Sequence, residues 1–481
     1  MSAMALQSVP VSFTFVNQTA SSVVAKPDEE DLAIIKSHAM RAVHRQRRAS
    51  PRKPVRPPKL AAPLATDWED FALCKFFDDF VFPKENASGN AFRYLDFLPS
   101  IYKRDARQSH LTDAVLAVAL VHFANQRRVD GLNLRARRKY ARSLNLVNRS
   151  LANPVEKGSD EVLATLCLLA KYEIISGDET GLWRSHERGQ AALINHRGKA
   201  QLQTEAGLGL FRLVWIRQQL NCIAQSAAPP ERPTFNWDAA FPSPHLKHLM
   251  LLVSRLVLGR SQARELFADG YAAVAEEKTM EQLQWSHEVH SINEDMLSFR
   301  QSLPLELHHW SISSCEVIHE AGRVREAAEY FPVHLNLFHN LHHASIWHIY
   351  TYCQIYLLQS LIQHTFPLND CHHDAQQQVQ EASLTFTTTV LPDMCLHLRL
   401  QQAIDDVCAS VPFLLGWSDD ARFLNTAGRG RGIACHYIIW VLAAALSIRE
   451  VPVPKAQWEW IRARLIEVGF LHGIRHALVF A

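Results

Sequence analysis

Glycine and proline are scarce in this 481-residue chain, at 18 and 22 residues. Together they make up about 8% of it, against about 12% in average usage. A β-sandwich or propeller needs a turn about every 8–12 residues, so those architectures are disfavoured. The nine cysteines are scattered, odd in number and without a C-x-x-C pair, which argues against a disulfide framework or a cysteine-built zinc site. A reducing compartment fits best. The longest strongly apolar run, Tyr437–Leu446, has ten residues, about half of what a bilayer requires. Residues 1–25 lack a basic start, so no secretory signal is expected. The expectation is a soluble, intracellular protein with no membrane partner. No G-x-S-x-G elbow is present and no nucleophile–base set stands out. Gly428-Arg429-Gly430-Arg431-Gly432 lacks the phosphate-loop order and follows no strand, so it reads as a loop.

What is present is apolar residue in quantity and charge unevenly placed. Hydrophobic residues make up 48% and charged residues 20%, enough for a substantial core. Residues 1–60 hold ten Lys or Arg and four acids, so this segment carries +6 and leaves −4 for the remainder. A basic arm on a mildly acidic body suits an anionic partner or an import signal. Within the arm, Lys36–Lys59 has nine basic residues and no acid. Residues 28–48 read as a short helix. Leu32, Ile35, Ala39, Ala42 and Val43 fall on one side, with His38, Arg41, Arg45 and Arg48 roughly opposite. Residues 49–66 form a Pro- and Arg-rich linker. Residues 1–66 are therefore set apart as leader, helix and linker.

From Asp67 onward the 3.6-residue period predicts an all-α body over 67–481, without strand alternation. Thr112–Asp113 can cap a helix through Phe123 that is apolar nearly all round, and hence central. Ser159 starts another, and Trp183–His196, Leu210–Cys222, Leu246–Leu266, Thr279–Leu303, Asn336–Gln363, Asp374–Leu391 and Cys435–Leu446 follow. After Pro454, the residues Trp458, Ile461, Leu465 and Val468 form a buried stripe. The proline-rich stretch 227–244 marks a loop and a candidate subdivision. Arg135–Leu151 is amphipathic, and the run Arg127–Arg149 carries eight basic residues. Arg135, Arg138, Arg142 and Arg149 share one face, either solvated or a second anion-binding surface.

Five segments resemble the fungal-specific transcription factor family. They are Phe15-Val16-Asn17 with Ser37–Arg48; Leu163–Ile175; Trp183–Gly189 with Leu193-Ile194 and Arg197-Gly198; Trp347–Leu358; and Asp406–Phe413 with Gly416, Trp440 and Gly469–Gly473. The resemblance implies an all-α regulatory domain, a nuclear transcriptional regulator and homo- or heterodimerisation, with no catalytic residue, metal or cofactor. Control of a metabolic or biosynthetic gene set, secondary metabolism included, is common in the resembling family. The regulatory domain often accompanies a six-cysteine zinc cluster, yet residues 1–73 contain no cysteine. Four readings stay open: the arm binds DNA, a partner transcription factor does, the chain regulates without contact, or an upstream exon supplies the cluster.

The candidate contacts for import or DNA phosphate are Arg41, Arg45, Arg47, Arg48, Arg52 and Lys53. The family-motif residues Trp183, His186, Gly189, Arg197, Gly198, Ser410, Pro412 and Gly416 read as structural. Trp183, Leu193 and Ile194 are expected in the core, and Trp183 and His186 on the same side. Gly189 is expected to admit a neighbouring helix and Gly198 to suit a helix C-terminus. Ser410-Val411-Pro412 is expected to end or break a helix. A competing reading builds a helical metalloenzyme on His334, His339, His342, His343 and His348 with Cys371, His372, His373 and Asp374. His339 and His343 stand at i, i+4, but no Glu lies between them and no third ligand follows from spacing.

Overall fold

The computed structural model describes residues 67–81, 94–102, 109–268 (except 179, 180, 182, 229–232, 234 and 242), 276–314, 330–365, 395–416 and 432–481. Residues 67–481 form one compact unit. The arm, the helix at 28–48, the segment Asp374–Leu391 and residues 428–431 of the glycine–arginine loop lie outside the described residues.

The body is all-α. Its first half holds α1 (Trp68–Phe80), a short α2 (Leu98–Ile101), α3 (His110–Arg127), α4 (Asp130–Ala152), α5 (Asp160–Ser176) and α6 (Trp183–Arg197). A 3₁₀ turn at Gly198–Gln203 leads into α7 (Glu205–Gln225). The second half holds α8 (Pro244–Leu266), α9 (Glu276–Ser302), α10 (Leu341–Thr365), α11 (Leu396–Leu415), α12 (Gly432–Ser447), α13 (Lys455–Leu471) and α14 (Ala477–Phe480).

Helix starts follow local chemistry. Asp67, Ser109, Ser159, Thr204 and Ser243 each accept a backbone N–H in the first turn of the helix that follows. The cap of α3 is thus Ser109, whose hydroxyl accepts from Thr112 N, rather than Thr112 itself. Both Thr112 and Asp113 are buried inside the helix. The expected centrality of α3 is observed, since every residue from Leu111 to Asn125 is buried. It packs against α1, α4 and α5. The α7 helix touches α5, α6, α8 and α10, and α12 packs on α10, α11, α13 and α1. One hydrophobic cluster runs through these layers from Ala72 to Ala477.

Four local readings are corrected. Asn336 does not begin a helix: it lies in β2 (His334–Leu337), antiparallel to β1 (Trp310–Ser313), with Ser311 opposite it and donating to its side chain. Two four-residue strands far apart in the chain give no alternation long enough to read. Pro412 does not break α11, which continues to Leu415. The proline forfeits one backbone donor in the last turn, and Gly416 at φ 72° ends the helix. In α13, Trp460 rather than Trp458 is the fully buried ring. Gly189 does not admit a close neighbour, because a Cβ there would meet only Leu166 Cδ1, at 3.6 Å.

The chain end returns to the middle of the first half. Arg475 N donates to Ile175 O and His476 N to Ile174 O, both at 3.1 Å. Asn125 Nδ2 bridges Ile175 O and Gly473 O at 2.8 and 2.9 Å. The last carbonyls of α5 are thereby satisfied by residues about 300 positions later in the chain. Gly177 makes this approach feasible. Its φ is +78°, and a Cβ would lie 2.6 Å from Arg475 Cβ. Gly177→Ala should therefore cost about 2–4 kcal/mol in urea unfolding, combining left-handed strain with overpacking. Gly189→Ala is the contrasting control, expected to be neutral or stabilising by up to about 1 kcal/mol. Equal behaviour of the two variants would contradict the placement of the chain end.

Candidate functional site

The charged face of α4 is the described surface suited to an anion. Leu132, Ala136, Ser143 and Val147 are buried against the body, and the Ser143 hydroxyl donates to His110 O at 2.8 Å. Arg135, Arg138, Arg142 and Arg149 are exposed on the opposite side, as the amphipathic pattern predicts. From Arg135 to Arg149 the row extends about 21 Å. Part of the charge on the helix is already used. Asp113 takes Arg142 at 3.1 Å and Lys139 at 3.6 Å, and Glu69 stands 3.9 Å from Lys139. Arg135, Arg138 and Arg149 have no such acid among the described residues.

Of the family-motif residues, His186 lies where α4, α5 and α6 meet. His186 Nε2 lies 3.1 Å from Glu173 Oε1, and the Tyr140 hydroxyl donates to the same oxygen at 2.5 Å. Tyr140 stacks on Tyr172 with centroids 4.5 Å apart. Burial, and then the Glu173 carboxylate, push the Tyr140 hydroxyl far above the usual tyrosine range. Tyr140 and Glu173 are partners of His186 that the sequence did not pair, because they come from three different helices. Trp183 turns instead to the rings of Trp440 and His476, each at 6.0 Å. Trp183, Leu193 and Ile194 are all buried. Arg197, in the last turn of α6, forms an ion pair with Asp160 in the first turn of α5. Each charge lies at the helix end whose dipole favours it. Gly198 has φ +61° at the junction with the 3₁₀ turn. Ser410 donates to Val407 O at 2.7 Å, and His348 Nε2 lies 3.0 Å from the same hydroxyl.

A family model described as the fungal specific transcription factor domain matches residues 73–397. The chain belongs to that family. The match runs from within α1 to the first residues of α11. It includes the motif segments at 163–175, 183–198 and 347–358, while those at 15–48, 406–416, 440 and 469–473 lie outside it. No curated protein and no solved structure matches. Membership places the chain among transcriptional regulators.

The histidine cluster takes a different shape from a metal centre. The His339 and His343 rings meet edge to face at 5.9 Å, and His339 also packs on Trp310 at 4.9 Å. His348 points to Ser410 instead. Burial, and then the charge of His339, lower the pKa of His343. Among the described residues no group of three or more His, Cys, Asp or Glu is placed to hold a metal ion. Cys371, His372, His373 and Asp374 lie outside them. No described helix is long and apolar enough to cross a membrane.

Proposed function

We propose that this chain is a nuclear transcriptional regulator whose helical body is its regulatory domain. The observation that carries the reading is the family match over 73–397. The proposed nuclear address and anion contact lie in the arm, at Arg41, Arg45, Arg47, Arg48, Arg52 and Lys53. Nine basic residues without an acid between Lys36 and Lys59 support it. The exposed arginines of α4 offer a second surface to the same polyanion.

A second reading keeps the arm for import alone, a role that its run of nine basic residues suits as well. In it the chain binds a transcription factor, as a homo- or heterodimerising co-regulator, and does not touch DNA. One variant separates the two. Replacing Arg41, Arg45, Arg47 and Arg48 by Ala removes up to four phosphate contacts. If the arm binds duplex DNA, the slope of log affinity against log salt should fall by up to about 3.6. All sequences should weaken alike, because phosphate contacts position without specifying. If the arm serves import alone, the variant becomes cytoplasmic and binding in vitro does not change. A variant that stays nuclear, keeps its salt slope and regulates normally would remove the arm from both readings. Genome-wide occupancy with and without the arm then tells direct from partner-borne recruitment.

A further inference from the structure

Lys171 sits in the middle of α5 with 2% of its surface exposed. Its Nζ has no hydrogen-bond partner, and no carboxylate offsets its charge. Such a group is rare, because buried polar atoms are nearly always satisfied and buried charges paired. The amine lies instead over two rings, 4.6 Å from the centroid of Phe80 and 4.7 Å from that of Tyr94. Burial, and then the neighbouring Arg217, lower its pKa well below the lysine range.

Lys171 is not alone in lacking a partner. Arg217 on α7 holds Glu187 through Nε at 2.5 Å, while its Nη2 is buried and unpartnered. From α12 come His436, with Nδ1 unpartnered, and Tyr437, with its hydroxyl unpartnered. Both rings pack against Tyr94, with centroids 6.1 and 6.2 Å away. Lys171 and Arg217 are both close enough to depress the pKa of His436 further, after burial itself. Lys171, His436 and Tyr437 thus pack on one tyrosine, and Arg217 is near enough to act on both Lys171 and His436, so the four polar groups come from three helices. Three are obligatory or ready donors, and the imidazole supplies a fourth in the right tautomer. A carboxylate offers about four lone-pair sites and no donor, the complement of this set. The aromatic faces of Phe80 and Tyr94 suit an organic body better than a fully hydrated inorganic ion.

We propose that Lys171, Arg217, His436 and Tyr437 form a buried site for the carboxylate of a small organic acid. The site adjoins the motif helices: α5 carries Lys171 and Glu173, and Trp440 of α12 packs on Trp183. Occupancy would tie α5, α7 and α12 together through one ligand. This inference is independent of the arm and of DNA binding, so either can fail without the other.

The test uses the purified full chain and a panel of acetate, pyruvate, malonate, benzoate and inorganic phosphate in a thermal-shift assay. At least one carboxylate should raise the melting temperature, and phosphate should not. Lys171→Met conserves volume and should abolish that response. Without ligand it should melt at or above the parent temperature, because it removes an unpaired buried amine. Tyr437→Phe changes one hydroxyl and should weaken the carboxylate by about tenfold, measured by calorimetry. The proposal is overturned if no carboxylate in the panel acts, or if phosphate acts in their place. It is also overturned if Lys171→Met keeps the response. A large drop in melting temperature for ligand-free Lys171→Met, with Tyr437→Phe binding like the parent, would make the lysine a structural cation–π group.

Discussion

Lowering the pH from 7 to 4 should unfold the helical body cooperatively. Four buried histidines set the expectation. Burial pushes His122 down to about 3 and both His348 and His476 down to about 4. It also holds His436 well below the usual value of 6.5. The Asp79 carboxylate, 3.5 Å from His122 Nδ1, would favour a proton on that ring. Lys75 already engages Asp79 at 2.7 Å, and burial of the imidazole prevails.

The sign follows from which state binds the proton. Between the unfolded value of 6.5 and the folded values, the unfolded chain takes up protons that the fold refuses. Stability from these groups is complete above pH 6.5 and is lost as pH falls toward 4 and 3. Each histidine contributes about 1.4 kcal/mol per pH unit, so four give about 5 kcal/mol per unit. Total stabilities are about 5–15 kcal/mol, so about one to three units of acidification below 6.5 suffice. Asp405 opposes the trend. Burial raises its carboxyl to about 6, and it gains stability as pH falls through that value. One carboxyl does not balance four imidazoles. Circular dichroism against pH checks the midpoint. His348→Gln should reduce proton uptake on unfolding by about one, read from the slope of stability against pH. Full helicity retained at pH 4 would show that these rings are not buried neutral.

Arg260→Ala should be the most damaging single substitution away from the aromatic core, at about 3–5 kcal/mol in urea unfolding. Arg260 leaves α8 with only 7% exposure. Its Nε donates to Ile223 O at 2.7 Å, and Nη1 donates to Tyr356 O and Ser360 Oγ, both at 2.7 Å. Nη2 donates to Ser226 Oγ at 3.1 Å, and the guanidinium lies 4.8 Å over the Tyr356 ring. Burial lowers its pKa, yet a guanidinium stays protonated. One side chain thus satisfies the C-terminal carbonyl region of α7 and a turn of α10. Ile223 O keeps Ser226 N and Tyr356 O keeps the Ser360 hydroxyl as donors, so removal costs four hydrogen bonds from a charged group and the packing of its buried stem. Arg260→Lys should recover less than half of the loss, since one ammonium cannot match a planar fork with acceptors on two helices. A loss below about 1 kcal/mol for Arg260→Ala would mean that water replaces the guanidinium without strain.

The histidines and Arg260 mark where reading the chain stops. As a residue type, Arg260 belongs on the surface, and nothing within a few positions of it announces Ile223 or Tyr356. Lys171 is similar: it follows five apolar residues and looks like a snorkelling interruption of a helix face. Its rings, Phe80 and Tyr94, come from segments about 80–90 residues earlier. Local signals fared better. Ser159 caps α5 through its hydroxyl at 3.2 Å from Val162 N, as the Ser-Asp-Glu start predicts. The Leu132, Ala136, Ser143 and Val147 face of α4 is buried, and its arginine face is exposed.

The sequence by itself determined the all-α class, most helix positions, the sidedness of α4, the concentration of positive charge before residue 60 and the family to which the chain belongs. Those properties depend on residues three or four apart, or on composition, and need no knowledge of distant neighbours. The tertiary structure alone decided the two-stranded ribbon, the continuation of α11 through Pro412 and the chain end that seals α5. It also decided the pairing of His186 with Tyr140 and Glu173, and the gathering of Lys171, His436 and Tyr437 on the Tyr94 ring with Arg217 nearby. Each of these is a contact between side chains or backbone groups remote in the chain, whose partners are chosen by packing and by the cost of leaving a buried polar group unmatched.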